Sequence, residues 1–114
     1  MDEKRREERR HLSYYLRIYD RESGDVLGHI VDIASIGMRI LSNDPLDTGA
    51  DTVYRLRIDL GAVMNFEQQV VFDARCVWQE KEFTSGAYNC GLEIVKMSEK
   101  GREIIKMLIE QFGE

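Results

Sequence analysis

The chain is poor in residues that most often carry chemistry. It has two cysteines, two histidines, one tryptophan and one proline in 114 residues. Cys76 and Cys90 have no metal-type spacing and stand in apolar surroundings, which reads as reduced core thiols of a cytoplasmic protein. His11 and His29 lack the Cys/His spacing of a zinc site, so no metal is expected, and His29 reads as an ordinary strand residue. No Ser/His/Asp set can be assembled and no phosphate-binding glycine loop is present. The expectation is a protein that is not an enzyme and carries no cofactor. No apolar run approaches the ~18 residues of a membrane span. The opening "MDEKRREERR" has no apolar h-region, so neither a secretory signal nor membrane insertion is expected. There are no internal repeats and no low-complexity segments.

What is present describes one folded domain. The length allows a single core, and 43% hydrophobic with 32% charged residues favours a folded soluble chain over a disordered one. The net charge of −5 is unevenly spread. Residues 4–10, "KRREERR", hold five basic and two acidic side chains, whereas residue 11 onward holds eleven basic and seventeen acidic. An acidic body is a poor general binder of nucleic-acid polymers, because phosphate neutralisation dominates that affinity. A compact basic arm can still serve one small anion.

From residue 12 the apolar pattern has period two: Leu12, Tyr14, Leu16 and Ile18 alternate with Ser13, Tyr15, Arg17 and Tyr19. "DRESGD" (20–25) reads as a turn. Residues 26–33 and 37–42 read as the second and third strands. Residues 42–51 form a loop holding Pro45. A fourth strand places Tyr54, Leu56, Ile58 and Leu60 on one face. A fifth places Val70, Phe72, Ala74, Cys76 and Trp78 on one face, and a sixth turns Tyr88, Cys90, Leu92 and Ile94 inward. Strands joined by short turns predict a mainly β fold, an antiparallel barrel or sandwich. At Ser98, a good N-cap, the period changes. Ile104, Ile105, Leu108, Ile109 and Phe112 make one helical stripe that needs an apolar host: the barrel, a partner protein or a second copy of the chain. The expected division is a basic arm over 1–11, a barrel over 12–97 and a helix over 98–114.

Two stretches are candidates for function. In the arm, Arg5 and Arg9 are spaced i, i+4, as are Arg6 and Arg10, so either pair shares one face of a helical turn. Paired guanidinium groups can fork onto phosphate oxygens and stack on a base. The plain alternative is a solvated terminus balanced by Glu7 and Glu8. The second stretch is "DIASIG" (32–37). A strand carboxylate between apolar residues is costly unless it bonds something. Asp32 can accept from the backbone of a turn or from the N–H edge of a guanine. Ala34 and Gly37 remove bulk, which suits a planar ligand, the close approach of another backbone, or a bulge.

Taken together, "RREER" (5–9) and "DIASIG" resemble the PilZ family, whose domains sense the bacterial second messenger cyclic di-GMP. The family signature is R-x-x-x-R before the first strand, then D-x-S-x-x-G about twenty-five residues later. The strands "YYLRIYD", "GHIVDI", "GMRIL", "ARCVW" and "YNCGLEIV" and the terminal helix also look alike. The resemblance implies a six-stranded antiparallel β-barrel with a C-terminal amphipathic helix. It implies that Arg5 and Arg9 grip phosphates and stack on guanine, that Asp32 accepts from a guanine edge, and that Gly37 keeps the surface open. Arg6, Arg10, Ala34 and Ser35 are neighbours of that site. The chain departs from the pattern at one place: the family's serine falls on Ala34, and by strand alternation Ser35 points to the other face. The implied function is a non-catalytic cyclic di-GMP receptor that passes its signal to an unidentified downstream protein. The rival is an interaction module of the same fold whose nucleotide site has weakened or lapsed at Ala34.

Overall fold

The computed structural model describes residues 10–11, 16–61 and 69–112, and the elements that follow are those of the described residues. The strands are β1 (Arg10–His11), β2 (Arg17–Asp20), β3 (Val26–Ile33), β4 (Gly37–Ser42), β5 (Tyr54–Asp59), β6 (Gln69–Lys81) and β7 (Tyr88–Met97), followed by α1 (Glu99–Phe112). All pairings are antiparallel, in the order β3-β2-β5-β6-β7-β4, and β4 pairs back onto β3 to close a six-stranded barrel. Closure leaves no free edge along these strands. Segment β1 lies on the same side of β3 as β2, at β3's other end. The strand expected from residue 12 is seen as β2, positions 12–15 fall outside the described residues, and β1 lies within the stretch read as the basic arm, whose last two residues are thus paired in the sheet.

The period-two pattern does what a closed sheet asks of it. Ile18, Ile30, Met38, Ile40, Leu56, Ile58, Val70, Phe72, Ala74, Cys76, Cys90 and Leu92 point inward and are buried. Strands β3 and β4 have the limits expected from the sequence. Strand β6 runs further than expected, and its pairing with β7 slips twice: between Asp73 and Ala74, where β7 carries the extra residue Val95, and between Cys76 and Trp78, where β6 carries the extra residue Val77. The second bulge overturns one expectation. An added residue reverses the alternation, so Trp78 leaves the inward face of Cys76 and stands on the outside. Gln79 takes the next inward place. Its Oε1 accepts from the Leu46 amide (2.6 Å) and its Nε2 donates to the Leu46 carbonyl (3.3 Å), which fastens the 42–51 loop and seats Leu46 in the core.

The helix begins where expected. The Ser98 Oγ accepts from the Gly101 amide at 3.0 Å, and Glu99 lies in the first turn, where the helix dipole favours negative charge. Ile104, Ile105 and Leu108 are buried in the same core as the barrel residues, and Ile109 packs at its margin. Of the hosts considered for the stripe, the barrel itself supplies the surface. The side chain of Phe112 is not among those described.

Cys76 and Cys90 are free and buried. Burial pushes the Cys90 thiol up to about 12, with the neighbouring Cys76 adding to the effect. Burial also raises Cys76. A thiol held protonated does not attack disulfides. Native protein at pH 8 should release no thiolate colour from Ellman's reagent, and both thiols should react once the chain is denatured. The same shift has a pH sign. The native thiol holds its proton above the ordinary 9.0, so this contribution is intact below pH 9 and declines as pH rises from 9 toward 12. A chemical melt at pH 10.5 should accordingly show a lower midpoint than one at pH 8.

Candidate ligand-binding site

The β3–β4 hairpin assembles the site. Strand β3 ends at Ile33 and β4 begins at Gly37. The Ala34 amide donates to the Gly37 carbonyl at 2.8 Å and closes the turn. The small residues of "DIASIG" thus occupy a reversal, not the middle of a strand. Ala34 is buried (3% exposed), whereas Ser35 and Ile36 are exposed. Ala34 and Ser35 do diverge, but the turn separates them, not strand alternation.

Asp32 reaches its position through a bulge. The register slips between Ile30 and Asp32, so that Ile30 pairs with Ile40 while Asp32 pairs with Arg39. Ile30 and Ile33, three residues apart, can then both enter the core. Asp32 shares the outer face with Arg39, since the neighbours of Arg39, Met38 and Ile40, point inward. Part of the cost of a mostly buried carboxylate is met by this neighbour. Arg39 Nε donates to Asp32 Oδ2 at 2.9 Å, with the two side chains 29% and 11% exposed. Arg39 Nη1 donates in turn to Asn89 Oδ1 on β7, at 3.2 Å. Arg39 is a partner that the sequence reading did not weigh for Asp32.

The row of outward positions continues across the barrel. Arg39 pairs with Gly91 of β7, and Gly91 pairs with Trp78 of β6. A Cβ built on Gly91 would meet Trp78 Nε1 at 2.0 Å, so the indole lies directly on the Gly91 backbone. Trp78 remains 39% exposed. A carboxylate, a guanidinium and a flat aromatic surface follow one another on adjacent strands.

On its other side, β3 pairs with β1. Arg10 is the register partner of Ile33, and His11 that of Asp32. The end of the basic arm therefore adjoins the start of "DIASIG". Of Arg10 the backbone position alone is described; Arg5, Arg6 and Arg9 lie outside the described residues. His29, further along β3, pairs with Arg17 of β2 and Leu41 of β4, and burial pushes its imidazole below the usual histidine range. It sits in a strand, as expected.

Gly37 has a clear structural duty. A Cβ there would come within 2.4 Å of the Leu92 carbonyl oxygen. Of the three roles weighed for this glycine, close approach of another backbone is the one observed.

Sequence reasoning missed Arg39, Asn89 and the outward turn of Trp78. A signal for Arg39 was present. Asp32 needs a partner, and if "DIASIG" is a hairpin turn, the residues flanking it face one another. Arg39 is the cation on the opposing strand. Asn89 carries no comparable signal, because its role depends on β7 closing against β4.

A family model described as PilZ domain matches residues 3–111. No curated protein matches the chain by sequence. Among solved structures, the PilZ domain with c-di-GMP of YcgR from Escherichia coli superposes with a TM-score of 0.70 at 13% identity, covering 96% of this chain and 92% of that one. The Bacillus subtilis inhibitor of motility (MotI/DgrA) gives 0.71 at 17% identity, covering 94% of this chain and 50% of that one, so the present chain spans about half its length. The K. pneumonia MrkH–c-di-GMP complex gives 0.64 at 16% identity over 93% of this chain and 51% of that one.

Proposed function

The chain belongs to the PilZ domain family, and from that premise we propose that it is a non-catalytic receptor for cyclic di-GMP. One observation carries the reading: β1, which directly follows the arginine arm in sequence, pairs with β3 so that Arg10 and His11 stand opposite Ile33 and Asp32. In this reading Arg5 and Arg9 fork onto the phosphates and stack on guanine, with Arg6 and Arg10 as neighbours. Asp32 accepts from a guanine edge. Trp78, exposed on the same row, offers a flat surface for a purine. Two solved structures of like fold, the YcgR PilZ domain with c-di-GMP and the MrkH–c-di-GMP complex, support the ligand class.

The signal has a physical route. The nucleotide's charge draws the arginines onto the barrel next to Asp32, and this changes the surface shown to a downstream protein. Such a ligand makes contacts in one state that it lacks in the other, as a switch requires. Isothermal titration of the chain with cyclic di-GMP tests the reading. Binding at about −8 kcal/mol, in the micromolar range, is expected. No heat and no melting shift at ~100 µM nucleotide, well above that range, overturns it.

Ala34 favours a second reading, an interaction module with a lapsed site. The missing hydroxyl is worth about 0.5–1.5 kcal/mol if it would have bonded the ligand. Ala34→Ser is therefore expected to tighten cyclic di-GMP binding roughly three- to tenfold. The same titration reads the outcome. An unchanged or weaker affinity means that position 34, buried in the turn, is not the serine slot.

A further inference from the structure

We infer that Arg39 is a positioning residue for the ligand proposed above, acting with Asn89 to fix the carboxylate of Asp32 at the angle a guanine edge requires. The inference rests on the cyclic di-GMP reading and goes beyond it, because neither residue belongs to the arginine arm or to "DIASIG".

A guanine edge presents two nearly parallel N–H donors. A carboxylate meets both only when its plane is set correctly, yet the terminal torsion of Asp is broad and roughly two-fold. In the barrel that torsion is held. Arg39 Nε lies 2.9 Å from Asp32 Oδ2, which leaves the carboxylate little freedom. Arginine alone would be a loose clamp, since its long side chain is costly to order. Asn89 removes that looseness by accepting from Nη1 at 3.2 Å. The guanidinium is planar, so bonds on two of its nitrogens fix its plane. The three residues stand on β3, β4 and β7, consecutive in the closed sheet. Their backbones are thus tied to one another by the barrel ladder.

The residue type at 89 is informative. A neutral amide oxygen holds the guanidinium without competing for its charge. An acid there would share Arg39 and loosen its grip on Asp32. Among the described arginine pairs, that of Arg39 has the most buried acid; the acids of Arg21–Asp73 and Arg57–Asp59 are 22% and 42% exposed. Arg55 with Glu22 and Arg75 with Glu93 each join an acid at least half exposed, where an ion pair contributes little. Asp32 is 11% exposed, so its geometry follows its partner. A ligand that finds the carboxylate already oriented loses less freedom on binding.

A double-mutant cycle tests this, with cyclic di-GMP as titrant and NMR line positions as readout, so that weak complexes are measurable. The proteins are the wild type, Arg39→Met, Asp32→Ala and the double variant. Arg39→Met is expected to weaken binding about tenfold in the wild-type background and less than about twofold once Asp32 is alanine, since coupled residues do not add. Asn89→Ala should show the same dependence on Asp32 with a smaller loss, and it stands in if Arg39→Met fails to fold. Equal losses in both backgrounds overturn the inference and make Arg39 a direct ligand contact. A lower melting temperature with unchanged affinity also overturns it, leaving a structural ion pair. If the wild type shows no binding, the receptor reading itself falls and this inference falls with it.

Discussion

Replacing Asp32 with alanine should lower the affinity for cyclic di-GMP by about 10- to 150-fold while leaving the barrel folded. The magnitude follows from the type of bond lost. Hydrogen bonds to a charged group are worth about 1.5–3 kcal/mol each, and every 1.4 kcal/mol is tenfold. The fold should survive because Arg39, 29% exposed, can turn its guanidinium to water once its partner is gone. Asp32→Asn is the sharper variant. It keeps the size of the side chain but replaces one acceptor with a donor. The amide oxygen can serve either Arg39 or the ligand, and its NH2 then faces a donor. Binding should therefore drop about as far as in Asp32→Ala, a loss of tenfold or more. Calorimetric titration gives the affinities, and thermal melts without ligand separate lost recognition from lost structure. Wild-type affinity in Asp32→Ala, and likewise in Arg9→Ala, would refute the assignment of the site to these residues.

Strands β3 and β4 were legible to the residue because the period-two pattern breaks at a cluster of small residues, and the hairpin turn lies there. The helix was legible through its cap at Ser98 and its stripe. Bulges were not. Nothing in "RCVWQE" marks the added residue before Trp78, because Val77 and Trp78 both suit either face of a strand. The bulge is set by how β6 must bend against β7, a property of the closed sheet. The same holds at Asp32, where the slip past Val31 lets Ile30 and Ile33 both reach the core. The candidate site was half legible. Its acid and its glycine were visible as misfits in a strand pattern, whereas the row Asp32–Arg39–Gly91–Trp78 needs strands β3, β4, β7 and β6 to be placed side by side. Sequence proximity shows only the first step of that row.

Gly37 carries the second large effect, and it is one of stability. Its backbone dihedrals do not call for glycine; the positive-φ glycines among the described residues are Gly24 and Gly86. What excludes a side chain is Leu92. A Cβ at 37 would stand 2.4 Å from the Leu92 carbonyl oxygen, and that oxygen belongs to β7's backbone, which cannot rotate aside as a side chain can. Gly37 pairs with Glu93 at the start of β4, and the Ile94 amide donates to the Ile36 carbonyl at 2.9 Å just beyond. To admit a methyl group, β4 must move away from β7 at the point where the barrel closes. Overpacking of this kind costs about 1–3 kcal/mol, and the rigid neighbour places Gly37→Ala at the upper end. For a domain of this size that lowers Tm by about 10 °C or more. The expected contrast is with Gly24→Ala, which has open space around it and bears only the strain of its positive φ, about 1 kcal/mol. If Gly37→Ala melts with the wild type, the close contact with β7 is relieved at no cost, and the glycine must then be explained by what approaches the hairpin from outside. A variant that melts early but binds cyclic di-GMP normally below its transition would assign Gly37 to the barrel alone. A variant that keeps its Tm and loses the nucleotide would assign it to the ligand.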